Sequence, residues 1–425
     1  MYRSVLVSFV LVVAAGPIAC KGSARSTSGT SSNTTDTTAV APAGAQAAPT
    51  SDTTGAVAGP IPTTQTAAPG SASGAGATNN ASPPTTANNA SANAVVASNT
   101  SSSAAAAPAN SARPNSTAWP GNPNPNRVPN EMGRIMVLEY HLITDHNGLY
   151  ARERGQFKKD LEFLYDRGYR PVNMSDVLDK NLNLPKGLSP VVFVFDDASP
   201  EQFRYIDNNG KLEIDPQSGM GIWLDFRKTH PDWNNKSVYC LLSGAAAGHN
   251  FFGDRGVQGQ KSNWRFQKVR WLADNGFELC NHTLWHMQLS KYPDAAVQQQ
   301  IAQCALAIDS AVPGYRVRSM ALPQGLWPKN RALASHGSWT NPKTGKTTTY
   351  NYEVVFEVAG GPMRSPYDPA FNPGSTPRIQ VIGNAIEQTV GKLEQANNAY
   401  ISDGNPSVVA RPVSGTTATT SALKR

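Results

Sequence analysis

The stretch VVFVFDDASP, residues 191–200, places two adjacent aspartates, Asp196 and Asp197, at the end of an unbroken apolar run. Five β-branched or aromatic residues in a row read as a buried strand. The aspartates stand where that strand must end and the chain must turn. Two neighbouring carboxylates repel each other. Either they form a solvated turn, or they hold something positive.

Working outward, further strands are expected in RIMVLEY (134–140), SVYCLL (237–242), FELC (277–280), RSMAL (318–322), YEVVFEV (352–358) and RIQVI (378–382). Helical segments fall between them. In GQFKKDLEFLYDRGY (155–169), Phe157, Leu161 and Leu164 share one helical face, and Gly168 suits the C-terminal cap. WRFQKVRWLADNG (264–276), the long segment 292–312 opened by Pro293, and AIEQTVGKLEQAN (385–397) read as further helices. DNNG (207–210) marks a turn inside an insertion. Strands alternating with helices predict an α/β fold with a mainly parallel sheet, either open or closed into a barrel. Ligand sites in such folds lie at the carboxyl ends of the strands, where Asp196 and Asp197 stand.

The flanks differ in kind. Residues 1–19 carry one basic residue, Arg3, followed by an uncharged apolar stretch, the layout of a secretory signal. Small residues before Cys20, PIAC, resemble a bacterial lipobox, which makes Cys20 a candidate for lipidation and membrane attachment. Pro17 stands where leucine is usual. Residues 20–128 are almost wholly Ala, Ser, Thr, Asn, Gly and Pro, too poor in apolar bulk to offset their ordering entropy, and are expected to be a disordered linker. Residues 404–425 are expected to be a tail of the same kind. This leaves residues 129–403 as one large domain. The chain carries +7, but the domain only +1, because the basic excess lies in the flanks. Nucleic-acid binding therefore has no electrostatic support. Within the domain, Cys240, Cys280 and Cys304 are an odd set at irregular spacing, expected to be buried free thiols.

FELCNHTLWH (277–286) ends a short strand with His282 and His286, whose i, i+4 spacing suits one helical face. Two imidazoles and a carboxylate are a common set for a divalent metal with room for water. Neither this motif nor the aspartate pair alone decides between a metal site and ordinary packing. Together, each at a strand's carboxyl end in one α/β domain, they favour the metal.

At this point the chain resembles the polysaccharide deacetylases (the NodB-homology domain, carbohydrate esterase family 4). The likeness runs through VLEYHLI (137–143), QFKKDLEFLYDRGYRPVNMSDVL (156–178), VFVFDDAS (192–199), NHTLWH (281–286), SMALPQG (319–325) and TPRIQVIG (376–383). The resemblance implies a distorted (β/α) barrel, usually of seven strands. It implies that Asp197, His282 and His286 bind a divalent metal, typically Zn2+, that Asp196 is the general base, and that a backbone N–H near Gln324 faces the oxyanion. Pro323 and Gly325 flank that position and are expected to line the substrate. The implied function is a metal-dependent hydrolase removing acetyl groups from an N-acetylated or O-acetylated polysaccharide of the cell envelope or environment. The rivals are a catalytically impaired glycan-binding envelope protein and a hydrolase of a non-sugar amide.

Four departures bear on activity. Ala198 stands where the family places glycine. Ala321 stands where many members place an arginine that pairs with the base. Gln324 replaces a common aromatic. RIQVIGN lacks the histidine that many members use as general acid. Of the remaining histidines, His141 follows the first strand and is the candidate acid; His249 and His336 are expected in exposed loop segments. Trp285 and Trp327 lie near the expected mouth and are candidate stacking surfaces for sugar rings, with ordinary packing the alternative.

Overall fold

The computed structural model describes residues 127–244 and 249–411, and the backbone of 421–424. The signal segment, Cys20 and nearly all of the linker lie outside the described residues.

Eight parallel strands form the central sheet: β1 (Met136–Tyr140), β2 (Tyr169–Pro171), β3 (Ser189–Phe195), β4 (Val238–Leu241), β5 (Glu278–Asn281), β6 (Ser319–Ala321), β7 (Val354–Gly360) and β8 (Thr376–Gln380). Their order is β1-β8-β7-β6-β5-β4-β3, with β2 beside the first half of β3. Pairing of β1 with β3, from Met136 opposite Val191 to Tyr140 opposite Phe195, closes seven of them into a barrel. Helices α1 (Arg154–Asp166), α2 (Met174–Leu178), α3 (Gly219–Thr229), α4 (Arg265–Asp274), α5 (Asp294–Ala311) and α6 (Ala385–Gln395) accompany the strands. Among the described residues no helix is long and apolar enough to cross a membrane.

The strand periodicity of two divides the core. Phe193, Phe195, Tyr239 and Leu279 pack outward against Phe157, Leu161, Trp223, Val269 and Leu272 of the helices. Val137, Val192, Val194, Val238, Cys240, Cys280, Ala321 and Phe356 form a separate cluster that fills the barrel. Helix α1 starts where the Glu153 carboxylate accepts from the Gly155 and Gln156 N–H groups. It ends at Gly168, whose φ of +77° reverses the chain into β2.

Three expectations need correction. Cys240 and Cys280 are joined in a disulfide, not free. They stand opposite each other in the β4–β5 register, with Cα atoms 4.2 Å apart. Among the described residues, Cys304 remains a buried free thiol. The fold also continues past residue 403. Val408–Arg411 form a strand, and the Ala410 peptide exchanges hydrogen bonds with buried Glu131: Glu131 N–H donates to Ala410 O, and Ala410 N–H to the Glu131 carboxylate. Finally, His336 begins a strand, His336–Thr340, which pairs with Thr347–Asn351; it is exposed as expected, but in a hairpin.

Candidate metal centre

The strand ends converge as the parallel topology requires. β3 delivers Asp196 and Asp197, and β5 delivers His282. Asp197 and Ala198 both adopt left-handed backbone, φ +77° and +50°. The family's glycine at position 198 would meet this geometry without strain, whereas Ala198 carries a cost of roughly 1–2 kcal/mol. The turn is held by Asp196 N–H donating to Tyr140 O, Phe252 N–H donating to Ala198 O, and the Gln202 amide donating to both His141 O and Asp196 O.

His282 and His286 do meet, but not on a helix. Residues 282–286 form an open turn in which Thr283 (φ +74°) and His286 (φ +54°) are left-handed. The Asn281 carboxamide accepts from Thr283 N–H and donates to Ile301 O and Tyr352 Oη. Thr283 Oγ1 accepts from His286 N–H, and Gln300 accepts through its backbone from Leu284 and through its side chain from Trp285.

The ligand atoms of Asp197, His282 and His286 lie within 4.8 Å of one another. Asp197 Oδ1 is 3.3 Å from His282 Nε2 and 3.6 Å from His286 Nε2. His282 Nδ1 lies 2.9 Å from Ala321 O, so it carries the ring proton and leaves Nε2 a lone pair aimed at the carboxylate. Asp197 Oδ1 and His282 Nε2 are both buried without a hydrogen-bond partner. Two buried atoms facing each other without a partner leave a place for a cation between them, and the set fits a divalent metal. Burial works to raise the Asp197 carboxyl, but the histidines outweigh it and hold it well below the usual carboxylate range. Burial and His282 push His286 down to about 4, keeping it a neutral ligand.

Behind this centre lies a cluster that the motifs did not reveal. Arg378, on β8 and 1% exposed, donates to the Asp196 carboxylate at 2.9 Å and to Glu139 at 3.2 Å. It takes the place of the arginine absent at Ala321. Burial would raise Asp196, but Arg378 and His282 overcome it and lower its pKa, so the carboxylate stays ionised. Glu139 moves the other way: burial lifts it to about 8 against the pull of Arg378. Glu139, His141 and Asp196 also have ligand atoms within 4.8 Å of one another. Arg378 already supplies positive charge there, which disfavours a second metal. The signal was available: Val137 and Glu139, Val194 and Asp196, Thr376 and Arg378 are pairs at strand spacing, and the second of each pair is charged.

His141 is brought to the site, with Nε2 3.7 Å from Glu139 Oε1; burial lowers its pKa despite Asp196 and Asp197. Pro323, Gln324 and Gly325 form a tight turn after β6, with Gln324 at φ +58° and exposed. Trp285 is 58% exposed. Trp327 differs: Arg331 lies 3.7 Å over its ring and its N–H donates to Glu357, so one face is covered. His249 is half-buried in the loop after β4.

Residues 235–338, which carry His282, His286 and the third motif, match the polysaccharide deacetylase family model. A chitooligosaccharide deacetylase of Sinorhizobium fredii is 29% identical over 119 residues, 27% of this chain and 54% of that protein. One from Bradyrhizobium is 34% identical over 62 residues, 15% of this chain and 28% of that protein. Over these residues the chain is similar to the polysaccharide deacetylase family. The chain spans about half, or less, of the length of these curated relatives. Similar solved structures include IcaB from Ammonifex degensii (17% identity, TM-score 0.42, 61% of this chain and 96% of that one). Another is the Streptococcus pyogenes deacetylase PplD in complex with acetate (15% identity, TM-score 0.43, 61% and 97%).

Proposed function

We propose that this chain is a metal-dependent deacetylase that hydrolyses the acetyl groups of an N-acetylated or O-acetylated glycan. The observation that carries the reading is the pair of orphaned buried acceptors, Asp197 Oδ1 and His282 Nε2, facing each other beside an arginine-held Asp196. Asp197, His282 and His286 would hold the ion, with zinc the choice that two imidazoles and one carboxylate favour. Such an ion supplies Lewis-acid polarisation of the acetyl carbonyl and acidification of water.

The chain's own groups do the rest. Asp196, kept ionised by Arg378, accepts the proton that the attacking water loses. The N–H of Gln324, at the turn after β6, is the donor offered to the developing oxyanion. The leaving nitrogen or oxygen then needs a proton. His141 is the side chain placed to deliver it: its ligand atom lies within 4.8 Å of the Asp196 carboxylate. Burial keeps His141 neutral at rest, so it carries the proton only in passing. The impaired-protein alternative rested on the missing acid; the nearness of His141 to the Asp196 carboxylate supports the active reading over it.

Export, with lipid attachment at Cys20, is part of the same proposal. The Cys240–Cys280 disulfide supports it, because such bonds persist in oxidising compartments. The ligand assignment is tested by metal analysis. Wild type is expected to hold about one divalent ion, and His282→Ala and His286→Ala to lose tight binding. Undiminished metal in the doubly substituted protein would refute it.

A further inference from the structure

The loop that follows β4 returns against the aspartate turn from outside the barrel. Phe251, Phe252 and Gly253 are all left-handed there, with φ of +43°, +67° and +89°. Two phenylalanines in that region are sterically costly, and such backbone persists only where its surroundings over-determine it. Both side chains are buried, and the Phe252 ring packs against Phe203 and Tyr239. The backbone of Phe252 is then fixed on each side. Its N–H donates to Ala198 O at 2.7 Å, and its carbonyl accepts from the Lys268 amine at 2.7 Å. Gly253 lies so close to Pro200 that a Cβ would come within 2.7 Å of the proline ring. The loop is thus seated along residues 198–200, immediately after Asp196 and Asp197.

Lys268 is an expensive residue for this place. It belongs to α4 and is fully buried, its amine lies 5.9 Å from the centre of the Tyr205 ring, and the charge that reaches it is that of Arg204, of the same sign. An apolar side chain of similar length would fill the space without desolvating an amine. What the amine adds is a donor for Phe252 O. Ala198 gives that donor a use. The motif that the chain resembles has glycine at 198, and φ of +50° is a conformation that glycine adopts freely and alanine does not. A strained turn that carries a metal ligand has to be held from outside. Gln202 holds it from one side, through His141 O and Asp196 O, and Phe252 holds it from the other.

We infer that Lys268 is a positioning residue. Through Phe252 it holds the Asp197–Ala198 turn in its left-handed form, offsets the missing glycine at 198, and so keeps the Asp197 carboxylate where it meets His282 and His286. The amine touches neither metal nor substrate; it acts through one peptide on each side of Phe252. This rests on the metal-ligand assignment made above and not on the reaction.

Zinc affinity, read by competition with a chromophoric chelator, tests this without turnover. Wild type, Lys268→Met, Ala198→Gly and the double variant are compared as full chains. Lys268→Met is expected to bind zinc about tenfold more weakly, the low end of what removing a group that orients a metal ligand costs. Its unfolding midpoint at pH 7 is expected to be no lower than that of wild type, whereas a residue that only supported the fold would lower the midpoint. In the Ala198→Gly background the same substitution is expected to cost less than about threefold, because glycine keeps the left-handed turn with less help. Gly253→Ala drives the loop off Pro200 with Lys268 intact, and is expected to weaken zinc binding as Lys268→Met does. Zinc affinity of wild-type strength in both Lys268→Met and Gly253→Ala, or an equal loss from Lys268→Met in the two backgrounds, would overturn the positioning role. Acetate release from acetylated oligomers is measured on the same preparations. Zinc binding weakened by Lys268→Met and recovered by Ala198→Gly, with no acetate from any of them, supports the positioning role and counts against the reaction. Acetate release by wild type with zinc affinity unmoved by Lys268→Met and Gly253→Ala overturns the role and leaves the deacetylase reading intact.

Discussion

Replacing Arg378 by methionine, similar in length but without charge, isolates the contribution of the buried ion cluster. In the wild-type protein one guanidinium serves two carboxylates, Asp196 at 2.9 Å and Glu139 at 3.2 Å, and all three side chains are nearly inaccessible. Removing one partner of a buried pair leaves uncompensated charge and costs about 3–5 kcal/mol. For a domain of this size that corresponds to a fall in melting temperature of roughly 10 °C. Glu139→Gln replaces a carboxyl that burial already lifts to about 8, and takes away the second buried acceptor that loses its Arg378 donor. The double variant should therefore lose less stability than the two single losses added, with a coupling of about 1–3 kcal/mol. Denaturant unfolding of wild type, both single variants and the double variant gives the cycle. Turnover by Arg378→Met should fall with metal content preserved, because Asp196 loses the charge that keeps it ionised. An Arg378→Met protein within about 0.5 kcal/mol of wild type, or strict additivity, would refute the account of the cluster.

Asp197→Asn should lower metal affinity, whereas Asp196→Asn should keep the metal and lose on the order of a hundred- to ten-thousand-fold in turnover; equal behaviour of the two would restore a merely solvated turn. Ala198→Gly should relieve the left-handed strain at φ +50° and raise stability by about 1 kcal/mol, read from the unfolding midpoint, and a loss would mean that the methyl packs usefully. Lys268 is fully buried, donates to Phe252 O, and is pushed down to about 7 by burial. Between pH 7 and about 10 the unfolded chain binds that proton more than the folded one does, so wild-type stability should rise with pH. Lys268→Met lacks this slope, so its advantage over wild type should be largest near pH 7 and shrink by pH 10; a pH-independent difference would contradict the burial argument.

The strands, the helices and the two ligand motifs were legible because each is a local pattern: apolar runs of strand length, a 3.6-residue stripe, charged residues at strand ends. What escaped depends on register between distant strands. Cys240 and Cys280 bond because β4 and β5 align them, and irregular spacing in a list of cysteines hides that. Arg378 meets Asp196 only once β1 joins both β8 and β3 to close the barrel. The i, i+4 histidines do come together with Asp197, but not on a helix face as the spacing suggested. They converge through two left-handed residues, a geometry that spacing does not reveal. The late segment SVVAR was too short an apolar run to stand out, yet Val409 and Ala410 are buried against the rest of the fold.

The central claim is that metal held by Asp197, His282 and His286 makes this chain release acetate from a glycan. The most direct measurement is acetate release from acetylated glycan oligomers by one preparation in three states: as isolated, stripped by a chelator, and reloaded with zinc. The account predicts activity lost on stripping and restored on reloading, with about one ion bound per chain when activity returns. Acetate release that persists in protein verified to be metal-free, or none from fully loaded protein on any acetylated glycan, would contradict it.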